Sequence, residues 1–208
     1  MPDVLAQHLA DHLAAAEAMP ALLPRIDEVA RRLIHAFERG GRLYTFGNGG
    51  SAADAQHLAG ELIGRYKRER PPLPAVALSV DPSVVTCIGN DYGYEDVFAR
   101  QVTALAGPED VVAGFTTSGS SQNVVAGLAA AREAGATTVL FTGERGAGAA
   151  EYADLVLAAP SATTARIQEM HLLMLHLLSE RVDAWAAERE ATATHGGPLG
   201  TSRPGDAR

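Results

Sequence analysis

Gly47-Asn48-Gly49-Gly50-Ser51, followed by His57 and Glu61, and Thr116-Thr117-Ser118-Gly119-Ser120-Ser121 are the two stretches whose residue types and spacing could do chemistry. Each comes after an apolar, strand-like run and leads into a helix-like run. A helix N-terminus presents unpaired backbone N–H groups and a partial positive charge. Glycines and hydroxyls placed there make a neutral cradle for an anion such as phosphate, with no lysine required. The second stretch packs five hydroxyls and one glycine into six residues. An ordinary capped turn would need only one of them.

His57 and Glu61 lie four apart on an expected helix and so share a face. The pair could bind a metal, or combine a ligand with a base. Alone, such a step is more often a surface hydrogen bond; the glycine loop just upstream favours the functional reading. The apolar run Ile167–Leu178 also carries Gln168, His171 and His176. Polar groups in such a run must be paired or exposed. His171 reads as a satisfied core histidine, while Gln168 with His176 could be either a site or a structural pair. Eight helical residues separate Gln168 from His176, a rise of about 12 Å. One ion between them would stretch both side chains, unless ligands meet across a subunit interface. Asn90 and Asp91 could hold sugar hydroxyls or merely form a turn. The basic run Arg65–Arg70 reads as a solvated helix end, though one arginine there could meet a phosphate or a partner subunit.

These side chains need a scaffold. Residues 3–39 read as two helices broken near Pro20. Strands are expected at Leu43–Phe46, Ala75–Ser79, Val111–Phe115, Thr137–Thr142 and Leu155–Ala158. Helices are expected at Ser51–Arg65, Pro82–Ile88, Glu95–Leu105, Ser121–Glu133 and Thr163–Glu188, with a loop at 89–93. This alternation implies an α/β protein, a three-layer α/β/α arrangement around a five-stranded parallel, flavodoxin-like sheet with extra N-terminal helices. Ligands in such sheets bind beyond the C-terminal strand ends, where both cradle loops would sit.

The 208 residues, 47% of them hydrophobic, suffice for one domain over 1–190, followed by a polar tail at 191–208 expected to be disordered. A bystander, His195, falls in that tail. The net charge of −8 argues against nucleic acid as a partner. Cys87 is the only cysteine, which excludes an internal disulfide and a Cys-based zinc motif, and its apolar neighbours suggest a packed thiol. No signal peptide or membrane-spanning run is expected, consistent with a cytoplasmic protein.

Together the motifs resemble the sugar isomerase (SIS) domain family, more narrowly its sedoheptulose 7-phosphate (phosphoheptose) isomerase branch. The resemblance covers about residues 1–185. It rests on the 47–51 loop with Asp54, His57 and Glu61, and on Gly64-Arg65-Tyr66 and Gly89-Asn90-Asp91-Tyr92-Gly93. It also rests on Thr117–Ser121, and on Arg166-Ile167-Gln168-Glu169 with His171 and His176. It implies one zinc ion per subunit held by His57, Glu61, Gln168 and His176. Implied substrate contacts are Asn48, Gly49, Gly50, Ser51, Glu61, Asn90, Asp91, Thr116, Thr117, Ser118, Ser121 and Gln168. The implied reaction is ketose–aldose isomerisation through an enediol(ate), with Glu61 as base and His176 as its acid–base partner. The resemblance further implies a homotetramer packed through the N-terminal helices, with active sites near subunit interfaces. One departure is Ala165, where some relatives carry an acidic residue. Two other readings remain at this point: a non-catalytic SIS tetramer that binds a replication initiator, and an SIS isomerase for another phosphosugar.

Overall fold

The computed structural model describes residues 3–146 and 148–195. Five apolar runs form one parallel sheet: β1 Leu43–Gly47, β2 Ala75–Ala77, β3 Val111–Phe115, β4 Thr137–Gly143 and β5 Leu155–Ala159. Their order is β2-β1-β3-β4-β5. In register, Thr45 of β1 lies opposite Ala77 on one side and Ala113 on the other, and Phe115 pairs with Phe141. Every residue of β1 and β3 is buried, which is why these strands read as unbroken apolar runs rather than alternating ones.

Helices cover both faces. On one face lie α1 (Val4–Ala18), α2 (Leu23–Glu38), α3 (Gly50–Ile63) and α7 (Thr164–His195). Ile26, Leu33, Leu58, Leu62, Met170 and Leu178 from these helices pack with Leu43, Phe115 and Phe141 of the sheet. The opposite face carries α5 (Ala99–Leu105) and α6 (Gln122–Glu133). There Val102, Val124 and Leu128 close over Tyr44, Phe46 and Leu140. The expected three-layer, flavodoxin-like architecture is therefore the one observed. The helix after β1 and the helix after β3 take opposite faces, so a crevice opens beyond the C-terminal ends of these neighbouring strands.

Several boundaries differ from expectation. The N-terminal break is a short 3-10 turn at Met19–Leu22 that contains Pro20. The Tyr94–Asp96 segment is also 3-10, and regular helix resumes only at Ala99. The helix α4 (Pro82–Asp91) does not stop at Ile88. Its Asp81 cap fixes the start by accepting from Ser83 and Val84 N–H, and the helix continues until Gly93, whose φ of 109° breaks it. Asn90 and Asp91 thus occupy its last turn, not a loop. Cys87 is exposed rather than packed: it points away from buried Ile88, with Sγ 3.6 Å from Asp91 Oδ2. The last helix runs beyond Glu188 to His195; Val182 and Ala186 are buried and Trp185 stacks on Phe37, whereas residues 188–192 are exposed. Residues 191–195 are therefore helical, and the rest of the expected tail lies outside the described residues.

Candidate active site

The site begins where β1 hands over to α3. A Cβ on Gly47 would lie 2.7 Å from the Ser51 carbonyl oxygen and 2.9 Å from that of Phe115, so no side chain fits at the crossover. Gly49 turns the chain with φ 57°, a conformation suited to glycine. A Cβ on Gly50 would overlap the Gln168 carboxamide, which places the first part of α7 directly against the N-terminus of α3.

This handover forms one wall of a cavity of about 320 Å³. Asn48, Gly49, Gly50 and Ser51 come from the first loop, Thr116, Thr117 and Ser121 from the second, and Thr164 and Gln168 from α7. Within the second loop the hydroxyls bond to one another: Thr116 Oγ1 lies 3.0 Å from Ser121 Oγ and 3.4 Å from Ser118 Oγ. Ser121 occupies the N-cap position of α6, but its hydroxyl makes no bond to that helix's N–H groups. Ser121 therefore does not act as a side-chain cap of α6. Ser118 also accepts from the Ser120 N–H at 3.2 Å, and lines an adjoining cavity of about 250 Å³ with Thr117 and Arg145.

Farther along the same two helices, His57, Glu61 and His176 converge, each offering one ligand atom within 4.8 Å of the others. His57 Nε2 is 2.9 Å from Glu61 Oε1 and 3.4 Å from His176 Nε2. The Tyr66 ring stacks on His176 at 5.7 Å between centroids. Burial, then the neighbouring His57, push the His176 imidazole down, with Glu61 acting the other way. Both effects favour the neutral imidazole, the form that accepts a proton or ligates a metal. Two nitrogens and a carboxylate oxygen in this arrangement match the donor preferences of zinc. One turn before His57, the Asp54 carboxyl is pushed up to about 6 by burial, an effect His57 reduces, and its Oδ2 is buried without a hydrogen-bond partner among the described residues.

The pairs Gly50 with Gln168 and His57 with His176 show that α3 and α7 run side by side in the same direction. The cradle sits at one level and the His–Glu–His cluster about two turns beyond it. Gln168 belongs to the cradle level, eight residues before His176. The other sequence candidates fall elsewhere. Asn90 and Asp91 are exposed, bonded to each other at 2.7 Å, and absent from the cavity lining. His171 is a core histidine as expected, but only half satisfied: it is fully buried, its Nε2–H donates to the Thr142 carbonyl at 3.0 Å, its buried Nδ1 has no hydrogen-bond partner among the described residues, and burial pushes its pKa down to about 4.

Sequence reasoning missed several neighbours of the site. Asn123 is buried and exchanges two amide hydrogen bonds with Asn48, at 2.8 and 2.9 Å. The Tyr94 hydroxyl donates to Asn48 Oδ1 at 3.1 Å. An asparagine at the start of the apolar run Asn123–Ala131 was the available signal for the first. Tyr94 carried no comparable mark. Arg70, expected on a solvated helix end, is wholly buried.

Comparison with known proteins places the chain in a family. The SIS domain family model matches residues 8–143. The chain is 48% identical over 184 residues to a phosphoheptose isomerase of Trichlorobacter lovleyi, covering 88% of this chain and 94% of that protein. It is 51% identical over 165 residues to one from Aquifex aeolicus, covering 79% and 86% respectively. Among solved structures, a phosphoheptose isomerase from Francisella tularensis superposes with a TM-score of 0.83 at 34% identity, covering 86% of this chain and 96% of that one. The corresponding protein of Neisseria gonorrhoeae gives a TM-score of 0.81 at 39% identity, covering 86% and 97%. A parallel sheet of this order, a hydroxyl-lined cradle at its switch point and this extent of likeness lead to one conclusion: the chain belongs to the SIS-domain family, in its phosphoheptose isomerase branch.

Proposed function

We propose that this protein interconverts sedoheptulose 7-phosphate and D-glycero-D-manno-heptose 7-phosphate, a ketose–aldose isomerisation in heptose biosynthesis. The observation that carries the reading is the spacing of the two halves of the site along α3 and α7. The cradle and the His57–Glu61–His176 cluster lie about two turns apart, a helical rise of about 12 Å. An extended seven-carbon sugar phosphate has a comparable span, so its phosphate can sit in the cradle while C1 and C2 meet the cluster. The separation of Gln168 from His176, which argues against a single ion between them, then becomes the length of the substrate.

The reaction moves a proton between C1 and C2 through an enediol(ate). Thr116, Thr117, Ser118 and Ser121, with the first turns of α3 and α6, hold the phosphate, and that binding energy places the reacting carbons. Glu61 takes the carbon proton, and His176 exchanges a proton at the neighbouring oxygen. Asn48, braced by Asn123 and Tyr94, orients the sugar between the two ends, with Gln168 at the cradle level. His57, Glu61 and His176 fit a zinc ion and would hold it; bound there, it supplies Lewis-acid polarisation of the sugar's carbonyl and hydroxyl oxygens. Gln168 as a fourth ligand would need both α7 side chains stretched along the helix.

In this reading the molecule is a cytoplasmic homotetramer. Val4, Leu5, Leu9 and Leu13 support the assembly, because they leave an apolar stripe on α1 that is 52–77% exposed in the isolated chain. Asn90 and Asp91, outward-facing in one chain, would then reach a neighbour's sugar. Among the described residues no helix is long and apolar enough to cross a membrane. Treatment with a strong chelator should abolish turnover of sedoheptulose 7-phosphate, and added zinc should restore it. Unchanged turnover after exhaustive chelation would take the metal out of the reaction.

A further inference from the structure

The run Arg65–Arg70 contains a residue that the reaction scheme leaves unused. The Arg70 side chain is 0% exposed and its partner Asp183, on α7, is 1% exposed. Burying two such ions costs several kcal/mol per ion, and a well-packed apolar pair often stabilises a protein as much or more. The geometry shows what an apolar pair could not do. Arg70 Nε donates to Asp183 Oδ1 at 3.0 Å, and its remaining N–H groups donate to carbonyls in the last turn of α3 and to that of Pro71. Nη2 reaches the carbonyl of Glu61 at 2.7 Å, and Nη1 reaches those of Leu62 at 2.8 Å and Pro71 at 2.9 Å. The last carbonyls of a helix have no partner within it, so the guanidinium caps α3 at the residue that carries the proposed base.

The other half of the pair holds the other half of the site. Asp183 accepts the backbone N–H of Arg68 at 2.9 Å and that of Lys67 at 3.4 Å. These bonds pin the segment after α3 onto α7, and within that segment Tyr66 stacks on His176. Burial acts to raise the Asp183 carboxyl, but the Arg68 N–H and the Arg70 guanidinium more than offset it, so the group stays ionised. Asp183 lies seven residues, two turns, beyond His176 on the same helix.

We infer that the buried Arg70–Asp183 pair is a positioning device that fixes Glu61 on α3 against His176 on α7. This role rests on the reading of Glu61 and His176 as the acid–base pair. Neither Arg70 nor Asp183 touches the sugar; both act through the residues they hold.

Two variants separate positioning from simple stability. Arg70→Lys keeps a cation for Asp183, but one ammonium group cannot also span the carbonyls of Glu61, Leu62 and Pro71. The double variant Arg70→Met with Asp183→Leu removes both charges and leaves no lone buried ion. Each is measured for melting temperature, for kcat and KM on sedoheptulose 7-phosphate, and for the zinc-dependent rise in melting temperature. Both are expected to fold, to keep KM within about threefold because the cradle is two turns away, and to lose kcat by roughly 100-fold. Their zinc affinity should fall on the order of 10-fold or more, as when groups that orient ligands are removed. A folded double variant with parental kcat and parental zinc response would overturn the inference while leaving the isomerase reading intact. A parent protein that binds zinc but never turns over the sugar would sink the isomerase reading alone, and the zinc response of the variants would still decide whether the pair positions the cluster. Loss of folding in Arg70→Lys, with full kcat in the double variant, would reduce the pair to a structural element.

Discussion

In the proposed reaction Glu61 has two tasks at one carboxylate, holding a cation beside His57, whose Nε2 lies 2.9 Å from Oε1, and accepting a carbon proton. Replacing it with glutamine keeps the shape and removes the base. Glu61→Gln should lower kcat on the order of 10²- to 10⁴-fold, with an unchanged melting temperature in the zinc-free protein and retained sugar-phosphate binding by calorimetry. Turnover close to that of the parent would take the base role from this residue. His171 makes a different prediction. Its pKa in the folded protein, about 4, lies below the ordinary value of 6.5. Between these values the unfolded chain binds the proton that the folded chain refuses, so stability is full above pH 6.5 and falls as pH drops toward 4. The loss attributable to this one group is about 3 kcal/mol. Urea unfolding at pH 7 and pH 4 should show a smaller acid loss in His171→Gln than in the parent. An identical loss would mean that His171 is not the group responsible.

At the scale of elements, the handover from β1 to α3 sets two glycines in contrast. A side chain on Gly47 meets two backbone carbonyls, which cannot move aside, so Gly47→Ala should cost about 1–3 kcal/mol in unfolding free energy. The nearest atoms to a side chain on Gly50 belong to the flexible end of Gln168. Gly50→Ala should therefore keep stability but displace that carboxamide, raising KM for the sugar phosphate roughly tenfold, the worth of about one hydrogen bond. Equal stability losses in the two variants would contradict the packing described. The same elements explain what the sequence revealed. Five strands and the helices between them were legible because each is a local run with its own period. The 47–51 and 116–121 loops were legible because their chemistry is contiguous, and His57 with Glu61 because helical spacing is local. Asn48 with Asn123, and Arg70 with Asp183, were not, because their partners lie 75 and 113 positions away. The end of α4 was misplaced because Gly89 looked like a stop, whereas the positive φ that ends the helix belongs to Gly93. Cys87 has apolar neighbours in sequence, but a helix turns adjacent residues to different faces, and its own face is solvent.

At the scale of the whole molecule, the strand order β2-β1-β3-β4-β5 brings the loops after β1 and β3 to one edge, and the long α7 crosses below them to supply Gln168 and His176. A cradle alone would suit any SIS protein that binds a phosphosugar; in the proposed reading, the cluster two turns away is what adapts it to a seven-carbon substrate. The most direct measurement is NMR of sedoheptulose 7-phosphate incubated with the zinc-loaded protein. Signals of the aldose 7-phosphate should grow in proportion to the amount of protein until the two sugars reach equilibrium. A ketose that binds, as judged by line broadening or calorimetry, yet stays unconverted at every protein concentration would contradict the account.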